Sequence, residues 1–275
     1  MRGLFVGLCT KDVIFYTDDL PAQNHKAKTE SFSTYIGGPA ANAAITYAAL
    51  GGDATLATCL GDSAESRAML EELEGYGVKV LNYSVSERVP NTACITVSSD
   101  GSRTILSGQK LFEVNRTYEL ADFDFALFDC NQQEISLDIL RNLKGTPVVL
   151  DAGNWKPNME EFLDRADIVI ASEDFRDSLG NDIFSMQGKA TERAMTCGEK
   201  PIRYGDREIP VADVKAVDTL GAGDIFHGAF CYAHFAEGLK MDQALYFAAL
   251  VAGESVKYPG PRAWMKQMVT KRTRH

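Results

Sequence analysis

Residues 218–229 read Asp218-Thr219-Leu220-Gly221-Ala222-Gly223-Asp224-Ile225-Phe226-His227-Gly228-Ala229, a turn of small residues that runs directly into an apolar helical segment. Gly221, Ala222 and Gly223 carry almost no side chain, so the backbone can approach a ligand closely. Their N–H groups, with the unpaired donors at the start of a helix, form a site that favours anions. The stretch therefore predicts a backbone anion site at a helix N-terminus.

Asp224 stands at the junction between this turn and the helix. A fixed carboxylate repels the anion that such a turn attracts, so packing alone does not explain it. Its position is explained if it removes a proton from a hydroxyl group that attacks a neighbouring phosphorus atom. The alternative is a structural role, in which the side chain accepts N–H bonds as a helix cap. The motif alone leaves both roles open.

The composition is that of a globular protein with an acidic charge balance. The chain has 275 residues, of which 45% are hydrophobic and 24% charged, as expected for one large α/β domain or a domain with a small appendage. A formal net charge of −10 argues against nucleic acid or an anionic membrane as a partner. Without an apolar run of about 18 residues or a signal-like N-terminus, the protein is expected to be soluble and cytoplasmic.

The six cysteines are widely scattered and include no C-x-x-C pair, which argues against a structural zinc site. Most lie in apolar, strand-like stretches, so we expect buried thiols in a reducing compartment. They are Cys9, Cys59, Cys94, Cys130, Cys197 and Cys231.

Short apolar runs alternate with helical segments along the chain. Strands are predicted at residues 4–8, 54–60, 78–85, 125–128, 148–151 and 168–171. Helices are predicted at residues 39–50, 63–76, 222–237 and 241–257, with Ser63 available as a cap. This alternation is typical of an α/β fold with a mainly parallel sheet covered by helices on both faces.

Residues 12–36 and 91–107 break this rhythm, because they are strand-like and carry little helical signal. Within the second stretch, Asp100-Gly101 predicts the turn of a β-hairpin. We interpret the two parts as a small sheet set apart from the main one, able to cover a cleft as a lid. The alternative is an edge hairpin that extends the main sheet.

A second glycine-rich turn opens the helix that begins near residue 39, and it reads Ile36-Gly37-Gly38-Pro39-Ala40-Ala41-Asn42. Gly37 and Gly38 remove side-chain bulk where a ligand could press against the backbone. Asn42 carries both a donor and an acceptor, which suits a sugar hydroxyl. The alternative is a tight loop whose asparagine bonds to its own backbone.

Together, the two motifs resemble the two signatures of the ribokinase-like (PfkB) family of carbohydrate kinases in composition, order and separation. Further similarity lies at residues 7–12, 61–63 and 208–218, so it extends over nearly the whole chain. The resemblance implies an α/β fold, an αβα sandwich with a mainly parallel central sheet and a small β-sheet lid. It also implies one kinase domain over residues 1–275, with the lid at about 12–36 and 91–107.

The resemblance further implies phosphorylation of a hydroxymethyl group on a small carbohydrate, with ATP and Mg²⁺. In that comparison Asp224 is the catalytic base, and the anion hole for the transferring phosphoryl group consists of Gly221, Ala222 and Gly223. The implied sugar-binding residues are Asp12, Gly37, Gly38 and Asn42. The implied nucleotide-binding residues are Thr196, Gly198, Ala252 and Ser255.

Two carboxylates are implied to hold metal ions. Asp218 matches a position that helps to hold a monovalent cation such as K⁺, and Glu173 is implied to hold Mg²⁺ through water. The sequence departs from the family here, since residues 172–175 read Ser-Glu-Asp-Phe in place of Asn-x-x-Glu. Pro201 replaces the last glycine of the nucleotide loop, and residues 173–200 form a short segment for the family.

Several polar residues could reach a substrate from the lid or from neighbouring loops. A cation there would suit an acidic or phosphorylated sugar, and the alternative is that each is a solvated surface residue. These residues are Lys26, Arg103, Lys110 and Asn131. His227, one turn after Asp224, is expected to pack rather than to take part in chemistry.

Three other functions compete with a sugar kinase. A nucleoside kinase would use the same reaction and the same base. A non-catalytic sugar- or nucleotide-binding regulator is favoured by Pro201 and by residues 172–175, whereas Asp224 favours an enzyme. An NAD-dependent oxidoreductase is disfavoured, because no G-x-G-x-x-G follows the first strand. The expected partners are the sugar and ATP, without nucleic acid or membrane, and the resemblance implies a homodimer formed through the lid.

Overall fold

Strands and helices alternate along the chain in the computed structural model, which describes residues 1–18, 22–29, 31–98, 103–108 and 112–272. The strands are β1 (Arg2–Val6), β2 (Thr10–Tyr16), β3 (Ser31–Gly37), β4 (Asp53–Thr58), β5 (Val78–Asn82), β6 (Thr92–Val97), β7 (Arg103–Gly108), β8 (Phe125–Phe128), β9 (Val148–Ala152), β10 (Ile168–Ser172), β11 (Glu192–Cys197), β12 (Lys200–Tyr204) and β13 (Arg207–Ile209). The helices are α1 (Pro39–Leu50), α2 (Ala64–Gly75), α3 (Gln133–Asn142), α4 (Met159–Arg165), α5 (Ala222–Cys231), α6 (Met241–Ser255) and α7 (Ala263–Arg272).

The central sheet of the described chain has nine strands in the order β13-β12-β11-β10-β9-β8-β1-β4-β5. The seven strands from β11 to β5 in this order are parallel, and β12 and β13 add an antiparallel edge. Strands β8 and β9 are buried along their whole length, as expected for a parallel sheet covered on both faces. One core cluster includes α1, α5 and α6, and another includes α3 and α4. The predicted αβα sandwich with a mainly parallel sheet is confirmed.

A smaller sheet of four described strands, in the order β3-β2-β6-β7, is separate from the central one. Strands β2 and β6 are parallel, and the two outer pairs are antiparallel. Because β6 pairs with β2 and β7 pairs with β6 in this small sheet, the alternative of a hairpin at the edge of the main sheet is wrong. The Asp100-Gly101 turn lies outside the described residues. Leu220 of the glycine turn packs against the apolar cluster of this small sheet, so the sheet lies beside the predicted anion site.

Helices α1 and α5 cross closely because small residues lie at their contact. Helix α1 is rich in alanine, and 9 of its 12 residues are buried. A Cβ added to Gly228 of α5 would lie 2.4 Å from the carbonyl oxygen of Ala43 and 2.8 Å from the Cβ of Thr46. This close crossing brings the first turns of the two helices side by side.

The boundaries of several elements differ from the prediction. Strands β1, β4 and β5 end two or three residues before their predicted limits. Residues 222–237 do not form one helix, because α5 ends at Cys231 and a π-helical turn follows at Tyr232–Ala236. There Phe235 stacks on Phe125, with ring centroids 4.4 Å apart. Such a contact between distant residues is not visible in a 3.6-residue periodicity. Helix α6 ends at Ser255 rather than at residue 257, and α7 is absent from the prediction.

The thiols agree with the prediction that most cysteines are buried. Five of the six are buried, and Cys94 on β6 is exposed. Within the described part of the chain, no helix combines the length and the apolar composition that crossing a bilayer requires.

We predict that Gly228→Ala destabilises the protein. The added methyl group would overlap backbone atoms of α1, and overpacking of this kind costs about 1–3 kcal/mol. Gly75→Ala in α2 is the matched control, since a Cβ there meets nothing within 4 Å. Thermal or urea denaturation should show a lower stability for Gly228→Ala and no loss for Gly75→Ala. Equal stability of the two variants would contradict the close crossing of α1 and α5.

Candidate active site

The two glycine-rich motifs meet at one hydrogen bond. Asn42 Nδ2 donates to Asp224 Oδ2 at 2.7 Å, although the two residues are 182 positions apart. Asn42 lies in the first turn of α1, and Asp224 lies in the first turn of α5. The structure therefore brings one residue of the predicted sugar site into contact with the predicted base.

The turn before α5 keeps several backbone donors available. Gly221 is the N-cap residue, with φ at +73°, and it makes no side-chain cap bond. The N–H group of Ala222 donates to the carbonyl oxygen of Thr219 at 3.2 Å. Among the described residues, the N–H groups of Gly221, Gly223 and Asp224 have no acceptor. The backbone thus presents three donors where the sequence predicts an anion site, and Asp224 does not occupy the cap position.

The carboxyl group of Asp224 holds its proton unusually tightly. Its pKa is raised to about 7, chiefly by burial and then by the negative charge of Asp151. The hydrogen bond from Asn42 and the proximity of His227 act in the opposite direction. The residue is nevertheless partly exposed, so another molecule can reach it. A carboxyl group with this pKa can exchange a proton near neutral pH.

Asp218 fixes the other end of the same turn. It is buried, and its Oδ1 and Oδ2 accept hydrogen bonds at 2.9 Å from the N–H groups of Leu220 and Gly260. The turn is thereby joined to the segment that follows α6. Both oxygens face backbone donors, and coordination of a monovalent cation by this residue stays a prediction.

The first glycine motif is packed against protein atoms. A Cβ on Gly37 would lie 1.9 Å from the carboxylate of Asp12, and a Cβ on Gly38 would lie 2.3 Å from the carbonyl oxygen of Leu8. Gly38 also has φ at +91°, a conformation that favours glycine. Burial raises the pKa of Asp12, whose Oδ1 accepts a bond of 2.6 Å from the Thr10 hydroxyl. Packing within the protein therefore requires glycine at both positions. They lie next to Asp12, a predicted sugar-binding residue.

Asp129 is a site residue that the sequence prediction lacks. This buried residue directly follows β8, and its Oδ2 accepts hydrogen bonds from the N–H groups of Leu8 at 2.8 Å and Ala40 at 3.1 Å. Its Oδ1 accepts a bond of 2.8 Å from the N–H of Asn131. Asp129 thus connects the ends of β1 and β8 to the start of α1. An acidic residue at the end of an apolar strand is the signal that could have identified it.

Arg262 is also missing from the prediction. It is buried, and its Nη2 donates to Asn42 Oδ1 at 2.6 Å and to the carbonyl oxygen of Ile36 at 2.7 Å. A side chain from the segment before α7 thereby contacts both ends of the first glycine motif. Ile36 and Asn42 are more than 200 positions away from it, so these contacts could not be predicted from local sequence.

A cavity of about 800 Å³ lies on the other side of the turn. Ala222 and Gly223 line it, and so do three of the predicted nucleotide-binding residues, namely Thr196, Gly198 and Ala252. The fourth predicted residue, Ser255, is buried, and its hydroxyl donates to the carbonyl oxygen of Ala252 at 2.7 Å. The cavity has a volume typical of small-molecule sites.

Glu173 follows β10, is exposed and lies 3.5 Å from the ammonium group of Lys200. In the part of the chain that the structure describes, no three His, Cys, Asp or Glu side chains are grouped to hold a metal ion. Mg²⁺ usually keeps several waters and takes its remaining ligands from one or two carboxylates and substrate phosphates. The donor set fits Mg²⁺ held in that way, and it does not fit an all-protein cage.

Asp151 and His227 lie behind the base. Both are buried, and His227 Nδ1 is 3.6 Å from Asp151 Oδ2. The same Nδ1 is 2.7 Å from the carbonyl oxygen of Gly223, and Nε2 is 3.3 Å from that of Ile170. The imidazole thus connects α5 to β10, in keeping with a packing role.

The polar residues predicted to reach a substrate have different positions. Arg103 of β7 lines the 800 Å³ cavity, and its Nη1 donates to the Thr219 hydroxyl at 2.7 Å. Asn131 lines a second cavity of about 450 Å³, together with Lys156. Lys26 is exposed, and Lys110 lies outside the described residues.

Comparison with known proteins decides the family. The family model described as pfkB family carbohydrate kinase matches residues 3–268. The chain belongs to the pfkB family of carbohydrate kinases. It is therefore an ATP-dependent phosphotransferase, a kinase of sugars or nucleosides, and the predicted family is confirmed.

Individual relatives cover almost all of the chain. It is 29% identical over 278 residues to a ribokinase of Bacillus subtilis, with 93% of each chain covered. A ribokinase structure from Giardia lamblia has a TM-score of 0.80 at 19% identity, with 98% and 99% of the two chains covered. A Burkholderia thailandensis nucleoside kinase in complex with inosine has a TM-score of 0.76 at 19% identity, with 96% and 94% covered. At these identities the two structures show a shared fold.

We predict that Asp224 makes stability depend on pH. Between about pH 4 and pH 7 the folded protein holds a proton that the unfolded chain has released, because the pKa rises from 3.8 to about 7 on folding. This stabilisation is complete below about pH 4 and is lost as the pH rises through about 7. Asp224→Asn removes the dependence, so the Tm of this variant should rise relative to that of the parent as the pH increases from about 4 to about 7.

Denaturation of the parent and Asp224→Asn across this pH range measures the effect. Asp164→Asn, at an exposed position of α4, is the control for loss of one negative charge. A difference in Tm between the parent and Asp224→Asn that stays constant with pH would contradict the raised pKa.

Proposed function

We propose that the protein transfers the γ-phosphoryl group of ATP to a hydroxymethyl group of a small carbohydrate, with Asp224 as the general base. The observation that carries this proposal is the contact of Asp224 with Asn42 of the first motif, next to the free N–H group of Gly223. The proposal is supported because a carboxyl group able to accept a proton then adjoins both the predicted sugar-binding motif and the predicted anion-binding turn. These are the three parts that phosphorylation of an alcohol requires.

In the proposed reaction, Asp224 accepts the proton of the attacking hydroxyl while the oxygen of this hydroxyl forms a bond to the γ-phosphorus. The bond from this phosphorus to the bridging oxygen of ADP breaks, and ADP leaves. Negative charge develops on the phosphoryl oxygens, and the N–H groups of Gly221 and Gly223 stabilise it as an oxyanion hole does. A pKa of about 7 keeps much of the base ionised at neutral pH while it remains basic enough to take the proton.

The sugar and the nucleotide bind on opposite sides of the turn in this proposal. Asp12 and the Gly37-Gly38 backbone hold hydroxyl groups of the sugar, and Asn42 uses its remaining donor and acceptor capacity for the same purpose. The 800 Å³ cavity holds ATP, and its small-residue wall at Ala252 leaves room for the adenine ring. The small sheet acts as the lid, whose closure excludes water from the reaction.

Metal ions complete the proposed site. When bound with ATP, Mg²⁺ neutralises charge on the phosphate oxygens, and Glu173 holds it through water. Asp218 helps to hold a monovalent cation such as K⁺ near the glycine turn. We also propose that two copies pair through the lid, because Phe32 and Leu106 of the small sheet are 65% and 72% exposed.

A nucleoside is the second candidate substrate, and the similarity to the inosine-bound nucleoside kinase favours it. A panel of pentoses, hexoses, sugar acids, sugar phosphates and nucleosides, incubated with ATP and Mg²⁺ and analysed by mass spectrometry, tests both candidates. A phosphorylated sugar supports the proposal, and turnover restricted to nucleosides overturns the sugar assignment. Calorimetric binding of a sugar without any phosphorylated product would indicate the regulator instead.

We predict that Asp224→Asn lowers kcat at least about 10²-fold, because general-base assistance contributes about 10²–10⁴ in rate. Binding of the sugar should change little, since the amide keeps the shape of the carboxylate. In the parent, kcat/KM should rise with pH through about 7 as Asp224 loses its proton. Steady-state kinetics, with Asp164→Asn as the control, measure both effects. Turnover within about threefold of the parent would remove Asp224 from the mechanism.

We predict that Ala252→Leu raises KM for ATP and leaves KM for the sugar nearly unchanged. The larger side chain would occupy part of the 800 Å³ cavity on the side away from Asn42. Leu250→Ala, at an exposed position of the same helix, controls for changes to α6. A parallel rise of both KM values would contradict the assignment of this cavity to the nucleotide.

A further inference from the structure

Arg262 carries a charge inside the protein, since the residue is only 7% exposed. Its Nη2 donates to the carbonyl oxygen of Ile36 at 2.7 Å and to Asn42 Oδ1 at 2.6 Å, and its Nη1 donates to the carbonyl oxygen of Pro261 at 3.2 Å. Its Nε has no hydrogen-bond partner within the described chain. Burying a cation is costly unless its donors are bonded. The position of this arginine beside Asn42 therefore needs a reason beyond packing.

The hydrogen bonds determine which way the amide of Asn42 faces. Arginine has donors only, so the atom of Asn42 that faces Nη2 must be the carbonyl oxygen. The amide nitrogen is then the atom 2.7 Å from Asp224 Oδ2, to which it donates. With the amide turned over, its oxygen would face a carboxylate and its nitrogen would face a guanidinium. Arg262 excludes this reversed orientation because both contacts would be repulsive.

We infer that Arg262 is a positioning residue for the base, acting on Asp224 through the amide of Asn42. The same Nη2 group holds the carbonyl oxygen of Ile36, directly before the Gly37-Gly38 turn. One side chain therefore sets both the backbone at the entrance to the sugar motif and the direction of the hydrogen bond to the base. The inference rests on the role proposed above for Asp224.

Several other charged groups surround Asp224. Asp151 of β9 and Asp129 after β8 add negative charge, and His227 of α5 lowers the pKa of the base. Arg262 lies 5.7 Å from the centroid of the Tyr76 ring, and it interacts electrostatically with Tyr76 and Glu72 and, to a smaller extent, with Asp224 and Asp12. A direct effect of the arginine charge must therefore be separated from an effect that passes through Asn42, and a double-mutant cycle makes that separation.

The first experiment follows the ionisation of Asp224 without any substrate. The carboxyl ¹³C signal of Asp224, assigned by its loss in Asp224→Asn, is titrated by NMR in the parent, Arg262→Met, Asn42→Ala and the double variant. Arg262→Met should raise the midpoint of Asp224, because the hydrogen bond from Asn42 is no longer held in place. In the Asn42→Ala background, Arg262→Met should cause a clearly smaller shift, which reports the direct effect of the arginine charge alone. A midpoint that moves equally in both backgrounds would overturn a pathway through Asn42.

The second experiment repeats this cycle with kcat on a substrate that the panel identifies. Arg262→Met should lower kcat by about 10- to 100-fold, the size of effect that a small misplacement of a reacting group produces. The KM for ATP should stay within about twofold, since Arg262 is not at the cavity assigned to the nucleotide. The losses from Arg262→Met and Asn42→Ala should not multiply, and fully multiplicative losses would contradict the inference.

Trp264→Phe is the matched structural control. The indole of this buried residue donates to the carbonyl oxygen of Pro261 at 3.0 Å, so its loss weakens the same segment without touching Asn42. This variant should lower Tm and leave the midpoint of Asp224 unchanged. If Trp264→Phe and Arg262→Met shift the midpoint of Asp224 equally, Arg262 has only a structural role.

Arg262→Lys keeps a donor and a positive charge and provides the test if Arg262→Met does not fold. Arg262→Lys should lower kcat less than Asn42→Ala does, and its Asp224 midpoint should lie closer to that of the parent. A variant with neither property would contradict the inference. Failure of the proposed function has a different result, since the parent would then phosphorylate no sugar in the panel. The NMR titration would still decide whether Arg262 acts on Asp224.

Discussion

The rest of the site depends on the hydrogen bond between Asn42 and Asp224, which joins the first turns of α1 and α5. Two helix starts can lie this close only if the helices themselves cross closely, and Gly228 with the alanines of α1 permits that crossing. Each helix start also carries a glycine at its N-cap, Gly38 and Gly221. A contact between two side chains thus depends on backbone packing several residues further along both helices.

The contact between Asn42 and Asp224 lies in a region that contains several carboxylates. Asp129, Asp151 and Asp224 bring three carboxylates into one region, and burial raises the pKa of the first and the last. Asp129 has its charge offset by the ammonium group of Lys156 and by backbone N–H groups. Asp224 has fewer such partners, because it accepts one bond from Asn42 and adjoins donors that an anion is proposed to occupy. The difference explains why one of these carboxylates suits proton transfer and another suits architecture.

The sequence allowed prediction of the features that arise from local patterns. Apolar runs predicted the central strands, the alanine-rich segment predicted α1, and two glycine motifs predicted the residues that meet at the site. Features that depend on distant partners could not be predicted in this way. Arg262 acts on residues more than 200 positions away, and the π-helical turn at Tyr232–Ala236 accompanies stacking on a ring of β8. Ser255 has the small side chain expected of a nucleotide pocket, yet its hydroxyl bonds within its own helix.

The glycines of the first motif have a structural reason that the sequence alone did not show. The sequence suggested that Gly37 and Gly38 leave space for a ligand, whereas the nearest atoms to an added Cβ belong to Asp12 and Leu8. Their smallness lets β3 turn into α1 while Asp12 stays in place and the carbonyl oxygen of Leu8 approaches the helix start. Because Arg262 holds Ile36 immediately before this turn, the turn is fixed from both sides. The precision with which Asn42 reaches Asp224 therefore comes from contacts within the protein, which exist before any substrate binds.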